Sequence, residues 1–131
     1  MRDPRPGLAW SLCRLQRRLA YRDYMTSRTW FARRRRWAAE WTARHGAEPC
    51  CLACGGLWSL ARDDLHHRSY TRLGHEAHGD LIPLCRACHR EVHRLLESDR
   101  SWRRLDRAQA TDLIVAALRY RALTSKQGAH P

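Results

Sequence analysis

The sequence predicts an α+β fold that is mostly helical, with a small metal-stapled core between helices at both ends. Three observations lead there. Apolar residues recur at helical spacing on either side of the chain's centre. Two Cys-x-x-Cys pairs, Cys51/Cys54 and Cys85/Cys88, bracket the middle. Between them the apolar runs are short enough only for brief strands. At 131 residues one domain is expected, and a core of that size gains from a structural metal. The expected division is 1–49 as an N-terminal helical region, 50–98 as the core with its knuckles, and 99–131 as a C-terminal helix and polar tail.

The apolar fraction of 44% is too high for a disordered chain. The 25 Lys+Arg outnumber the 13 Asp+Glu, giving +12, and nearly all of the positive charge is Arg. A polyanionic partner follows, because the guanidinium fork suits phosphate; a GC-rich genome would also enrich Arg and Ala. Every apolar run is interrupted by Arg before it reaches membrane-spanning length. MRDPRPGLAWSLCRL lacks the continuous apolar region of a secretory signal. A reducing, cytoplasmic setting is expected, in which paired Cys-x-x-Cys units favour metal over disulfide.

The first helix follows Pro6 and Gly7, with Leu8, Leu12, Leu15 and Leu19 as its stripe. Cys13 lies in it and reads as core. Tyr21 to Ser27 reads as a break, and Thr26 or Ser27 as the cap of a second helix reaching Arg44. Trp30, Trp37, Ala38 and Trp41 share one face of that helix, a pattern of core packing. Arg33, Arg34, Arg35 and Arg36 crowd between them and, with Arg68 and Arg72, are the candidates for nucleic-acid contact. His45, Gly46 and Pro49 end the helix. Leu57–Leu60 and Leu65–Tyr70 read as short strands about a polar turn, and Thr71–Gly79 as a loop. Leu81–Leu84 leads into a helix from about Arg86 to Glu97. Ser98–Ser101 is a break, and the last helix spans about Leu105–Leu123 on a face of Leu113, Ala116, Ala117 and Tyr120. Thr124–Pro131 reads as a polar tail.

Cys51, Cys54, Cys85 and Cys88 can complete a tetrahedral thiolate site for a structural Zn2+. Binding closes a loop of 30 intervening residues, and the tandem histidines lie in that loop. Cys50 also stands at ligand spacing from Cys54; Cys51 is preferred because the two knuckles then match. His89 and His93, one helical turn apart, project from one face and suit a shared metal. His66 and His67 are neighbours on a strand, so they face opposite ways. One of them can bind metal while the other acts on water, as a neutral imidazole is a good base near neutral pH.

The order CLAC, DLHH, GHE and then DLIPLCRACHREVH resembles the HNH endonucleases, within the His-Me finger group and its ββα-metal core. The likeness covers about Cys51 to His93, and YRDYMTSRTW (21–30) resembles the lead-in of phage-type and mobile-element members. The resemblance implies roles position by position. His67 would be the general base, while His66, His89 and His93 would ligate one catalytic divalent ion (Mg2+, Mn2+, Zn2+ or Ni2+). Asp80 stands where the family has its central Asn; it would brace the loop and orient the base, or ligate metal itself. Glu76 would brace the same loop.

The expected function is therefore metal-dependent hydrolysis of DNA phosphodiesters by His-activated water, with an Arg beside the cleft sharing the developing charge. The expected partner is double-stranded DNA, held by its backbone with little sequence preference. The alternative is a zinc-stabilised DNA-binding module with a vestigial nuclease site. Mere binding needs neither His67 nor the His89/His93 pair, which is what separates the two.

Overall fold

The computed structural model describes residues 6–128, and side chains from residue 12 onward. Its elements are α1 (Pro6–Met25), α2 (Arg28–His45), β1 (Asp64–His67), β2 (Leu81–Leu84), α3 (Arg86–Ser98) and α4 (Arg107–Gln127). Short 3₁₀ turns at His78–Asp80 and Arg100–Arg104 precede β2 and α4. This is the mostly helical α+β architecture expected, with a two-stranded antiparallel sheet at its centre.

The sheet sorts the molecule into two halves. Its register pairs Asp64 with Leu84, Leu65 with Pro83, His66 with Ile82, and His67 with Leu81. Side chains alternate between faces. Leu65 and Leu81 join Trp30, Trp37 and Trp58 in one cluster, so α2 covers that face with its tryptophans. Ile82 and Leu84 join Cys51, Ala53, Val92, Ile114 and Val115 in the other, beneath α3 and α4. Burying several Trp, Ile and Leu side chains, each worth about 1.5–3 kcal/mol, supplies most of what holds the layers together.

The Trp stripe of α2 packs as expected, and Ser27 caps that helix by accepting from the Trp30 amide at 3.1 Å. Several other expectations are corrected. The first helix does not break at Tyr21 but runs on to Met25, because nothing before Thr26 interrupts it and Tyr24 reaches the core side to bond Glu76. Its leucine stripe does not pack: Leu12, Leu15 and Leu19 are exposed, as is Cys13; the side chain of Leu8 lies outside the described residues. Leu57–Leu60 forms no strand, only an isolated bridge between Cys50 and Leu57. The Trp58 indole instead donates to the Asp64 carbonyl at 2.8 Å, and Asp63 folds back onto the Ser59 amide to close a turn. The strand expected over Leu65–Tyr70 stops at His67.

At the far end, α4 extends through Gln127, so the polar tail is helical up to there; residues 129–131 lie outside the described set. Its buried face is Ala110, Thr111, Ile114 and Val115, while Leu113, Ala116, Ala117 and Tyr120 are exposed. The helix is apolar nearly all round, so periodicity alone does not choose a face. None of the described helices is long and apolar enough to cross a membrane.

Candidate functional site

Two clusters of metal-ligating side chains form on the face of the sheet beneath α3 and α4. The first is the four cysteines: one sulfur from each of Cys51, Cys54, Cys85 and Cys88 lies within 4.8 Å of the others. The first knuckle is a tight turn in which the Gly55 amide donates to the Cys51 carbonyl at 2.8 Å. Gly55 adopts φ +77°, a left-handed value that glycine takes without steric cost, and the Arg119 guanidinium lies where a side chain would be. The Gly56 amide points at the Cys54 sulfur, 3.4 Å away. The second knuckle leads into α3, with Cys85 at its N-cap. Cys50 is exposed and stands outside the cluster, which decides the ligand choice for Cys51. Burial pushes the Cys85 and Cys88 thiols up, and at Cys88 the neighbouring sulfurs add to it; at Cys51 amide hydrogen bonds outweigh burial and bring the thiol down. Four crowded sulfurs with these opposed tendencies suit a cation that neutralises them together. The four cysteines could thus hold a structural metal ion.

The second cluster is His66, His89 and His93, which each bring one nitrogen within 4.8 Å of the others. His66 comes from β1, the other two from successive turns of α3. His89 and His93 face each other through Nε2 at 3.0 Å. Two outer partners fix which nitrogens are available. The Asp64 carboxylate lies 3.1 Å from His89 Nδ1, so the ring proton sits on Nδ1 and Nε2 is left with its lone pair. Thr111 Oγ1 lies 3.1 Å from His66 Nε2, and both residues are fully buried at 0% exposure. His66 Nδ1 is buried with no partner, which leaves it as the atom available to a cation. Burial, then the Arg107 charge and the other histidines, push His66 far down, to about 2. Burial and the His89 ring lower His93. Both are therefore neutral, the state that ligates metal.

His67 lies on the opposite face of the sheet, as strand alternation requires. It stacks on Trp30 with ring centroids 4.8 Å apart, and Tyr21 and Tyr70 close over it at 6.3 and 5.6 Å. Its Nε2 is 3.6 Å from Glu76 Oε1, longer than an ordinary hydrogen bond but close enough for a charge contact once the ring is protonated. Burial lowers the His67 pKa and outweighs the opposing pull of Glu76. Glu76 is itself buried and stays a carboxylate: burial raises it, but the Tyr24 hydroxyl at 2.7 Å and the Gly74 amide at 2.9 Å more than offset that. Tyr24 thus holds the Glu76 carboxylate beside His67, whose Nε2 has no hydrogen-bond partner among the described residues, and the carboxylate can stabilise a proton arriving on the ring.

Asp80 stands outside the histidine cluster. Its carboxylate is gripped by Arg72 at 2.8 and 2.6 Å and also accepts from the Ala77 amide at 2.8 Å. The Arg72 guanidinium holds it below the usual carboxylate range. Asp80 thus braces the loop before β2.

The arginines expected to contact nucleic acid divide. Arg33 is 4% exposed; it donates to the Glu76 carbonyl at 3.0 Å and pairs with Glu40 at 3.3 Å, so it is a buried strut and not a phosphate contact. Arg34 bridges the Leu60 and Asp63 carbonyls at 2.9 and 2.8 Å. Arg68 clamps α4 to the sheet through Asp112 and the Gly79 carbonyl. Arg72 is engaged by Asp80, while Arg35 and Arg36 are exposed on α2. Sequence reasoning passed over Asp64 and Thr111 as outer partners, and gave Glu76 only a loop-bracing part. Asp64 was in reach, since it lies two residues before His66 on the same strand face; nothing in α4 marked Thr111.

No family model, curated protein or solved structure matches the chain.

Proposed function

We propose that this chain is a metal-dependent endonuclease of the HNH type that hydrolyses phosphodiester bonds in DNA. One observation carries the reading: the tandem histidines divide, His66 joining His89 and His93 on one side while His67 is backed by the Glu76 carboxylate on the other. A protein that only bound DNA would need neither arrangement. His67, neutral through burial, takes a proton from the attacking water, and Glu76 stabilises the imidazolium that results. A divalent ion held by His66, His89 and His93 would supply charge stabilisation at the pentavalent phosphate and the leaving 3′ oxygen.

Three imidazoles favour zinc, nickel or manganese over magnesium, and the engagement of Asp80 with Arg72 leaves that preference in place. The four-cysteine site suits a separate, structural zinc. Double-stranded DNA, contacted through its backbone, fits the +12 charge.

Nicking of supercoiled plasmid with Mg2+, Mn2+, Zn2+ and Ni2+ tests the proposal. Cleavage is expected with at least one ion, and His67→Ala should lower it by about 10²-fold or more. Undiminished cleavage by His67→Ala sinks the base assignment. Retained DNA binding without cleavage by any ion points instead to a zinc-stabilised DNA-binding module.

A further inference from the structure

Arg107 opens α4, outside the stretch that carries the motifs, and differs from the engaged arginines described above. Its Nε donates to the His67 carbonyl at 3.0 Å, and its guanidinium carbon sits 4.3 Å over the Tyr70 ring. Its Nη2 is buried and meets no hydrogen-bond partner among the described residues. No carboxylate of those residues pairs with it, although the Arg68 and Arg72 guanidiniums nearby each have one. A buried guanidinium nitrogen left without an acceptor is costly, by the desolvation of a charged donor. Such a group persists where an anion completes it.

The position is also at a junction. Arg107 lines the inner end of an open groove of about 1470 Å³ between α1, the 69–73 loop and the start of α4. Arg17, Arg18 and Arg22 of α1 line the same groove, with Tyr21 and Tyr70 on its wall. Those two tyrosines also flank His67. The Nε bond to the His67 carbonyl places Arg107 directly beside the tandem histidines. The groove is mainly apolar, with Leu15, Leu19 and Leu73 in its lining, but its three arginines and two tyrosines, together with the half-satisfied guanidinium, offer a nucleic-acid strand both charge and stacking.

We propose that Arg107 is the residue that grips the scissile phosphate, its guanidinium donating to a non-bridging oxygen, and that the α1–α4 groove carries the strand to it. The groove leads the backbone past Arg17, Arg18 and Arg22. The Nε bond to the His67 carbonyl then sets the distance between phosphate and base. The catalytic part of this inference rests on the nuclease reading; the phosphate contact does not.

The test uses the full-length, zinc-loaded chain and a short DNA duplex. Binding is measured against salt for wild type, Arg107→Ala and Arg107→Lys, with circular dichroism and zinc content as checks on folding. Cleavage is measured in parallel. Arg107→Ala should bind several-fold more weakly, and its log–log salt slope should fall by about one, the signature of one lost phosphate contact. Arg107→Lys should recover the slope, because the charge returns. Both variants should cleave more slowly, Arg107→Ala by about 10²–10³-fold, because lysine cannot bond the His67 carbonyl and the phosphate together. A folded Arg107→Ala with wild-type affinity and slope overturns the inference, whether or not the wild type cleaves. If the slope falls but wild type cuts no DNA with any ion, the phosphate contact stands and the nuclease reading fails. If wild type cuts and Arg107→Ala cuts equally well, the inference fails and the nuclease reading stands.

Discussion

Thr111→Val is the perturbation that most directly probes the histidine cluster, because it changes one atom and almost no volume. Thr111 Oγ1 is 3.1 Å from His66 Nε2, and no solvent reaches either residue. With the hydroxyl gone, the ring has two poor choices. It can keep its proton on Nε2 and leave a buried donor unmet, which costs about 1–3 kcal/mol. Otherwise it moves the proton to Nδ1, the one nitrogen available to an ion, and ceases to be a ligand. Both routes weaken metal binding, and removing an outer partner of a ligating histidine typically costs about 10–100-fold in affinity, or roughly 1.4–2.7 kcal/mol. The two estimates overlap, as they should if one hydrogen bond accounts for both. The assay is calorimetric titration of Mn2+ or Ni2+ into protein carrying one zinc per chain, at the cysteines, comparing wild type, Thr111→Val and Thr111→Ser. Serine keeps the hydroxyl and should bind within about threefold of wild type. Equal affinity for the valine variant would falsify the reasoning, since the hydroxyl would then have no hold on the ring.

Three further outcomes are expected. Removing the cysteine-bound metal with a chelator, or replacing Cys85 by Ser, should unfold the region around β2 and α3, read as loss of α-helical circular dichroism, since the core cluster of Ile82, Leu84 and Val92 is built around those sulfurs; a native spectrum after complete metal removal contradicts this. Arg33→Ala should destabilise the fold by about 1–3 kcal/mol, because it strands the buried Glu76 carbonyl, while leaving the DNA affinity of the folded fraction unchanged; weaker binding at unaltered stability would restore Arg33 as a phosphate contact. Arg72→Ala should lower stability slightly, and the gap from wild type should stay flat from about pH 8 to pH 5. The sign follows from Asp80: its folded carboxyl lies below the unfolded value, so its contribution is complete above that value and is lost only as pH falls through the folded one. A gap that closes by about pH 6 would mean that another group carries the effect.

Much of the candidate site was legible because its residues are close in sequence and its chemistry is tied to spacing. Paired Cys-x-x-Cys units, a one-turn histidine pair on a helix and adjacent histidines on a strand each have few geometric solutions, and all three formed as their spacing requires. The split of His66 from His67 follows from strand alternation alone. The choice of Cys51 over Cys50 did not, because both spacings are acceptable and only the turn that carries Leu57 beside Cys50 turns that thiol out.

The parts that were not legible depend on which surface meets which. The α4 helix is apolar around most of its circumference, so the face bearing Thr111, Ile114 and Val115 was selected by the α3 and β2 surface it covers. That selection placed Thr111 on His66 and Arg107 on His67 from more than 40 residues away. The arginine run of α2 looked uniform, but one turn of helix rotates Arg33 into the core beside Glu40 and Glu76 while Arg35 and Arg36 remain outside. The sequence by itself determined the ligand types, the order of the elements and the opposite facing of the two tandem histidines, since these follow from residue chemistry and local periodicity. Only the tertiary structure decided which arginines are struts, which hydroxyl meets His66 Nε2 and which carboxylate backs His67. Those pairings join segments whose separation along the chain carries no local signal, so packing had to bring them together before they had any meaning.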